Sequence, residues 1–150
     1  MDSYFITGPV GVGKTYTAKE VLQGYQAEYL DEVADDVSAR PAKELFGFYS
    51  CGQVALRSRI SRVANELFDE MVSKRVVVLD DLGAFKSSDY TIDVIYLVID
   101  ERLNRKKTTI VTSNLSLEEV ADRVDDRLAS RLSSFKLIEM KGEDRRNGIN

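Results

Sequence analysis

Short apolar runs alternate along the chain with longer segments in which apolar residues recur at helical spacing. The apolar runs are rich in β-branched and aromatic residues, and they predict strands at 4–7, 45–51, 75–80, 108–113 and 135–140. The intervening segments predict helices at 14–26, 53–73, 90–105 and 117–132. Alternating strands and helices of this kind favour an α/β fold with a parallel sheet and right-handed crossovers.

Three segments carry more specific expectations. The three valines and the leucine before Asp80 form an unbroken apolar run, which is typical of a central strand buried on both faces. The segment 53–73 is predicted to be one helix with a single apolar face, made of Leu56, Ile60, Val63, Leu67 and Met71. The acidic segment 27–43 is predicted to be a partly helical surface excursion. No linker divides the sequence, so we expect one domain over 1–150 without a separate N-terminal partner-binding domain.

A glycine-rich loop lies between the first predicted strand and the first predicted helix. From Gly8 to Thr15 it matches the phosphate-binding pattern G-x-x-x-x-G-K-[ST]. Such a loop turns its backbone N–H groups towards phosphate oxygens, and the following helix adds the positive end of its dipole. We expect Lys14 to reach the β- and γ-phosphates of ATP. The predicted nucleotide-binding residues are Gly8, Pro9, Val10, Gly11, Val12, Gly13, Lys14, Thr15 and Tyr16.

Two aspartates end the strand predicted at 75–80 and supply the second part of such a site. A buried strand that ends in a carboxylate would deliver Asp80 next to Mg²⁺, as the Walker-B aspartate does, and the Thr15 hydroxyl would be the other protein ligand. Asp81 would then orient or deprotonate the attacking water. The sequence therefore predicts ATP and Mg²⁺ as cofactors, with Thr15 and Asp80 as metal ligands and Asp81 as a catalytic residue.

The composition narrows the chemistry that is open to the chain. It has no histidine and a single cysteine, Cys51, which excludes a histidine-containing metal site, a histidine-activated nucleophile and an internal disulfide. The net charge of −4 argues against a protein that coats nucleic acid by bulk electrostatics, although a local basic strip is compatible with it. Without an apolar run of about 20 residues or a signal-peptide pattern, we expect a cytoplasmic protein that does not associate with membranes.

Further segments give the chain a family resemblance. They are Asn114 and Leu115 with the strand before them, the segment 126–132 with Arg131, the Leu-Asp-Asp-Leu-Gly run at 79–83 and the Ile-Asp-Glu-Arg run at 99–102. With the phosphate loop, they resemble the AAA+ ATPases of the DnaC type, which are helicase loaders, and of the IstB type, from about Tyr4 to Arg146. This resemblance implies a P-loop NTPase fold, a three-layer sandwich with a central parallel sheet, and an AAA+ core without a C-terminal lid domain.

The same resemblance implies roles for two polar residues. Asn114 would help to polarise the attacking water, and Arg131 would be an arginine finger that reaches the ATP of a neighbouring subunit. The protein would be a homo-oligomer in ATP and a slow ATPase that loads or remodels a replicative helicase. An alternative for Arg131 stays open. Arginines recur every four residues at 123, 127 and 131, a spacing that also fits a solvated basic stripe on a helix.

A DNA-binding surface is a further hypothesis. Arg57, Arg59 and Arg62 lie in the helix predicted at 53–73, where an oligomer would repeat them as a basic track around single-stranded DNA. Equally, they fit the charged outer face of an amphipathic helix, with Glu66 paired to Arg62. The sequence does not decide between these two interpretations.

Other cellular roles also stay open. A transposase is an alternative partner, as for the IstB-type transposition ATPases. A nucleotide-gated binding or inhibitory module with little hydrolysis is another alternative. A nucleotide kinase fits less well, because we find no segment that predicts a basic lid and because Asn114 and Arg131 would have no role in it.

Overall fold

Five strands form the centre of the fold in the computed structural model, which describes residues 2–84 and 88–142. The strands are β1 (Tyr4–Thr7), β2 (Phe46–Ser50), β3 (Val76–Leu82), β4 (Thr108–Ser113) and β5 (Lys136–Glu139). They are ordered β2-β3-β4-β1-β5, and all four neighbouring pairs are parallel. The parallel α/β sheet predicted from the sequence is therefore confirmed. The last residues of the family resemblance, 143–146, lie outside the described ranges.

Helices cover both faces of this sheet. They are α1 (Lys14–Glu32), α2 (Ala42–Leu45), α3 (Cys51–Arg57), α4 (Ser61–Ser73), α5 (Asp89–Asn104), α6 (Leu117–Arg123) and α7 (Asp126–Leu132). Successive side chains of a strand point to opposite faces. Thus Val77 and Leu79 of β3 join a core with α3 to α7, while Val76 and Val78 join a second core with α1. The result is the three-layer architecture that the resemblance implies. No helix in the described ranges is long and apolar enough to cross a membrane.

The prediction of one helix over 53–73 is wrong, because the structure has two helices there, α3 and α4. The chain turns at residues 58–60, and Ile60 becomes the N-cap residue of α4. Leu56 and Ile60 are 62% and 63% exposed, so they do not extend the apolar face that Leu67 and Met71 bury. The physical reason lies in the partners. Helix α3 packs against β2 and β3, whereas α4 packs against α5, and one straight helix does not follow both surfaces.

The helix predicted at 117–132 is likewise two helices, α6 and α7. The break falls at Val124 and Asp125, where the Asp125 side chain accepts a hydrogen bond from the N–H of Leu128 and caps α7. Helix α1, in contrast, is longer than the predicted 14–26. It continues to Glu32 because Tyr29 is buried against Phe46 and donates its hydroxyl proton to the carbonyl of Arg40.

Candidate nucleotide-binding site

The phosphate loop connects β1 to α1 at the carboxyl edge of the sheet. Two of its glycines are required by geometry. A Cβ at Gly8 would clash with the carbonyl oxygen of Met140, the residue whose N–H donates to the carbonyl of Thr7. Gly13 has a left-handed backbone, with φ of 98°, and is the N-cap of α1 without a side chain that accepts from the first turn. The loop thus leaves the start of α1 available to an anion.

Lys14 is buried beneath this loop, with 6% of its surface exposed. Its ammonium group donates to the carbonyl oxygens of Gly8 and Pro9, at 2.7 Å and 2.6 Å. These contacts hold the positive charge of Lys14 against the first residues of the phosphate loop. Val12, by contrast, is buried in the protein interior and contributes to the loop's support.

The Asp80 carboxylate lies at the centre of a hydroxyl network behind the loop. The Thr15 hydroxyl contacts both of its oxygens, at 3.0 Å and 3.1 Å, and the Thr112 hydroxyl donates to Oδ1 at 2.7 Å. Asp80 itself is 5% exposed. The structure therefore brings together the two residues predicted to be metal ligands, Thr15 and Asp80, although they are 65 residues apart in the chain. A hydroxyl and a carboxylate oxygen are ligands that Mg²⁺ accepts.

Asp81 sits on an irregularity of β3. The register of β3 with β4 shifts between Leu79 and Leu82, and Asp81 has a left-handed φ of 60°, which is uncommon for a residue other than glycine. Burial and the neighbouring Asp80 charge raise the pKa of Asp81, and the Lys14 ammonium partly offsets that rise. A carboxylate with a raised pKa accepts a proton more readily than an ordinary surface aspartate.

A cavity of about 770 Å³ opens in front of these groups, within the usual size range of small-molecule sites. Its lining combines the loop, the start of α1, the end of β3 and the residue after β4: Val10, Gly11, Gly13, Lys14, Thr15, Tyr16, Lys19, Asp81, Ala84 and Asn114. Sequence reasoning missed Lys19 and Ala84. Lys19 lies four residues after Thr15 on α1, a spacing that places both side chains on one face of the helix, and this spacing is the signal that could have found it. The site has the size, the phosphate loop and the oxygen ligands that ATP with Mg²⁺ requires.

Arg131 is absent from this lining. It lies on α7, where its Nε donates to Asp100 Oδ1 at 2.6 Å and its Nη2 donates to the hydroxyl of Tyr96 at 3.2 Å. The Asp100 carboxylate raises the pKa of the guanidinium further. Arg127, one helical turn earlier on α7, pairs with Asp93 of α5, and its guanidinium lies 4.6 Å from the centroid of the Tyr96 ring. Contacts with α5 therefore hold both arginines of α7, and neither lines the cavity of its own chain.

The arginines of the possible DNA surface are exposed at the turn between α3 and α4. Arg62 lies 3.9 Å from Glu66, which is the helical pair expected for a charged outer face. Arg59 lines a separate cavity of about 310 Å³ between the turn and the start of α5, together with Ser58 and Ser88. Arg59 and Arg62 therefore have different surroundings on the two sides of the turn.

The fold and the phosphate loop define a P-loop ATPase architecture. The profile of the family "ATPase family associated with various cellular activities (AAA)" matches residues 4–140, and the chain belongs to this family. No curated protein sequence matches the chain.

Solved structures similar in fold include the DnaC helicase loader, with 25% identity and a TM-score of 0.69 over 93% of this chain and 78% of that one. DnaI has 24% identity and a TM-score of 0.70 over 97% of this chain and 73% of that one. A replication initiator DnaA bound to AMPPCP and single-stranded DNA has 22% identity and a TM-score of 0.69 over 95% of this chain. The chain spans 41% of that DnaA chain.

Proposed function

We propose that this chain binds ATP with Mg²⁺, hydrolyses it at the boundary between two copies of itself, and acts on a replicative helicase as a loader-type ATPase. The observation that carries the proposal is the contact of Thr15 with Asp80 beside the buried Lys14 ammonium. These three groups match the needs of a triphosphate with its metal ion: a cation for the phosphates and two oxygen ligands for Mg²⁺. The ion would neutralise charge that develops on the phosphate oxygens.

Water activation is assigned to Asp81 and Asn114. Both line the cavity: Asp81 lies one residue before the end of β3, and Asn114 directly follows β4. Asp81 would accept the proton of the attacking water, and Asn114 would orient that water by hydrogen bonding. The pKa of Asp81 is raised by burial and by Asp80, which favours the first of these roles.

The arginine finger is assigned to Arg131. Its side chain is 41% exposed and stands outside its own cavity, as a residue that acts on a neighbouring subunit must. Its Nε and Nη2 have partners on α5, which fixes the plane of the guanidinium. This arrangement requires a homo-oligomer in which α7 of one copy faces the nucleotide cavity of the next.

The helicase and DNA parts of the proposal rest on similarity in fold. DnaC is a helicase loader, and a DnaA structure of the same fold holds single-stranded DNA. On this chain, Arg57, Arg59 and the exposed Leu56 and Ile60 surround the turn between α3 and α4. The cationic side chains suit the phosphates of a single strand.

The proposal is tested by ATP-dependent capture of partners from an extract of the source or its host. We expect the wild-type chain to retain the replicative helicase in ATP and to release it without nucleotide. Lys14→Ala should lose both capture and turnover, with kcat/KM lower by at least about 100-fold because the phosphate charge loses its buried cation. Lys43→Ala, which removes an exposed lysine of α2, is the matched control and should behave as wild type.

Other results would assign another role. Capture of a transposase in place of the helicase would indicate the IstB type of function. ATP binding without capture or turnover would indicate a nucleotide-gated binding module. Normal turnover by Lys14→Ala would overturn the nucleotide site itself.

A further inference from the structure

Thr112 is a buried threonine of β4 for which the phosphate-loop and Walker-B patterns assign no function. It is fully buried, and it precedes Asn114 by two positions. Its hydroxyl lies between the two aspartates at the end of β3, at the point where the register of β3 and β4 shifts. The neighbouring strand thus touches both acidic residues of the site.

The hydroxyl of Thr112 makes two contacts of opposite direction. It donates its proton to Asp80 Oδ1 at 2.7 Å and accepts the backbone N–H of Asp81 at 2.9 Å. The backbone N–H of Asp81 can only donate, so the Thr112 oxygen accepts from it and directs its own single proton to the Asp80 carboxylate. The hydroxyl thus joins the side chain of one aspartate to the backbone of the next.

The second contact replaces a hydrogen bond of the sheet. A bulge leaves one residue of the longer strand without its ladder partner, and here the Asp81 N–H finds a side-chain oxygen in place of a backbone carbonyl. The same contact holds Asp81 in its left-handed conformation. Since that conformation determines where the carboxylate of Asp81 is placed, Thr112 controls a group that lines the nucleotide cavity.

We infer that Thr112 is a positioning residue of the ATPase site, which orients the Asp80 carboxylate for Mg²⁺ and holds Asp81 towards the attacking water. This inference rests on the proposed function and deepens it. Thr112 acts through the two aspartates and does not itself line the cavity. Because it belongs to the strand that ends beside Asn114, it also ties the water-orienting amide to the metal-binding carboxylate through one rigid element.

Thr112→Val is the direct test, because valine has nearly the same shape and lacks the hydroxyl. The same chain offers a matched control in Thr108→Val. Thr108 is buried at the other end of β4, and its hydroxyl has no hydrogen-bond partner among the described residues. Both variants remove one buried hydroxyl from one strand, but only the first removes contacts to Asp80 and Asp81.

The measurement is the affinity for ADP and ATP with Mg²⁺ and with EDTA, followed by kcat and KM as the Mg²⁺ concentration is varied. For Thr112→Val we expect unchanged affinity in EDTA, at least about a tenfold rise in the Mg²⁺ concentration that gives half-maximal binding, and at least about a tenfold loss of kcat. Thr108→Val should match wild type in all three. Equal behaviour of the two variants would overturn the inference.

A second pair of variants covers the case in which Thr112→Val does not fold. Thr112→Ser and Thr112→Ala differ by a single oxygen atom, so we expect the serine variant to keep Mg²⁺ dependence near wild type and the alanine variant to lose it. The binding measurement also separates this inference from the proposed function. A wild-type chain that binds Mg²⁺-nucleotide without turnover would contradict the proposed hydrolysis and would still test Thr112. A wild-type nucleotide affinity that does not depend on Mg²⁺ would overturn both the inference and the proposed metal site.

Discussion

At the scale of single residues, Arg102 shows how a charge is accommodated in the core. It is fully buried, and its guanidinium donates to the carbonyl oxygens of Met71, Lys74 and Thr108 at 2.6–2.7 Å and to the Thr109 hydroxyl at 2.9 Å. All of these partners are neutral. Burial lowers the pKa of Arg102 to about 10, which leaves the group protonated at neutral pH. The carbonyls near the end of α4 are thus tied to the start of β4.

We expect Arg102→Met to destabilise the fold, because methionine fills similar space and leaves several buried carbonyl oxygens without donors. The free energy of unfolding should fall by about 3 kcal/mol or more. For a chain of this size that corresponds to a Tm lower by roughly 6–12 °C. Urea unfolding with an unchanged m value measures the loss.

The control for this experiment is Arg105→Met, three residues further along the chain. Arg105 is exposed and pairs with Glu101 at 2.7 Å, a contact between surface charges that contributes about 0.5 kcal/mol or less. Equal losses of stability in the two variants would contradict the structural role of Arg102.

At the scale of elements, α5 acts as a support for α7. Along one side of α5, Asp93, Tyr96 and Asp100 meet the two arginines of α7 in order. Both guanidinium groups contact the Tyr96 ring, at 4.6 Å from its centroid for Arg127 and 5.7 Å for Arg131. Contacts of this kind reduce the number of positions that a long side chain adopts before it meets its target.

From this arrangement we expect Asp100→Ala to lower kcat several-fold, about 3- to 10-fold, while the affinity for ATP stays unchanged, because Arg131 loses its orientation and the nucleotide cavity of the same chain is untouched. Asp93→Ala is the matched control, since it removes one carboxylate partner of Arg127, which keeps its contact with Asp125. Steady-state ATPase assays on the two variants measure the difference. A larger effect of Asp93→Ala would indicate that Arg127, and not Arg131, is the finger.

At the scale of the whole molecule, the sheet brings the site together at one edge. The carboxyl ends of β1, β3 and β4 deliver the phosphate loop, the aspartates and Asn114, as parallel α/β sheets do at their ligand sites. Arg131 stands apart from this edge on α7. The proposed function therefore requires two copies of the chain to meet head to tail, so that Arg131 of one copy reaches the nucleotide of the next.

Mixing two inactive variants tests this requirement. Lys14→Ala lacks the phosphate-binding cation and keeps the finger, whereas Arg131→Ala has the opposite defect. We expect each alone to be inactive and an equimolar mixture to regain about a quarter of wild-type turnover, the share of random interfaces that join one intact site to one intact finger. Mixing Arg131→Ala with the double variant Lys14→Ala/Arg131→Ala is the control and should regain nothing. Full turnover by Arg131→Ala alone would exclude the finger.

The sequence by itself determined the parts of this protein that depend on local spacing. The phosphate loop, the five strands and the acidic end of β3 follow from short patterns, because backbone geometry and apolar periodicity act over a few residues. The helix break at residues 58–60 lay beyond that range, because α3 packs on β2 and β3 and α4 on α5, and no glycine or proline marks the turn. The break at Val124–Asp125 has a local signal, the N-cap Asp125, which the prediction of one helix over 117–132 did not use.

Only the tertiary structure decided which residues meet. Thr112 contacts Asp80 across 32 residues of sequence because a bulge shifts the register of β3 against β4, and nothing in the sequence around Thr112 indicates that shift. Arg102 has the same hydrophilic side chain as Arg105, yet one is buried and the other exposed. A charged side chain is accommodated in the core only where hydrogen-bonding or charged partners meet it, and the carbonyl oxygens around Arg102 converge only after the strands and helices have packed.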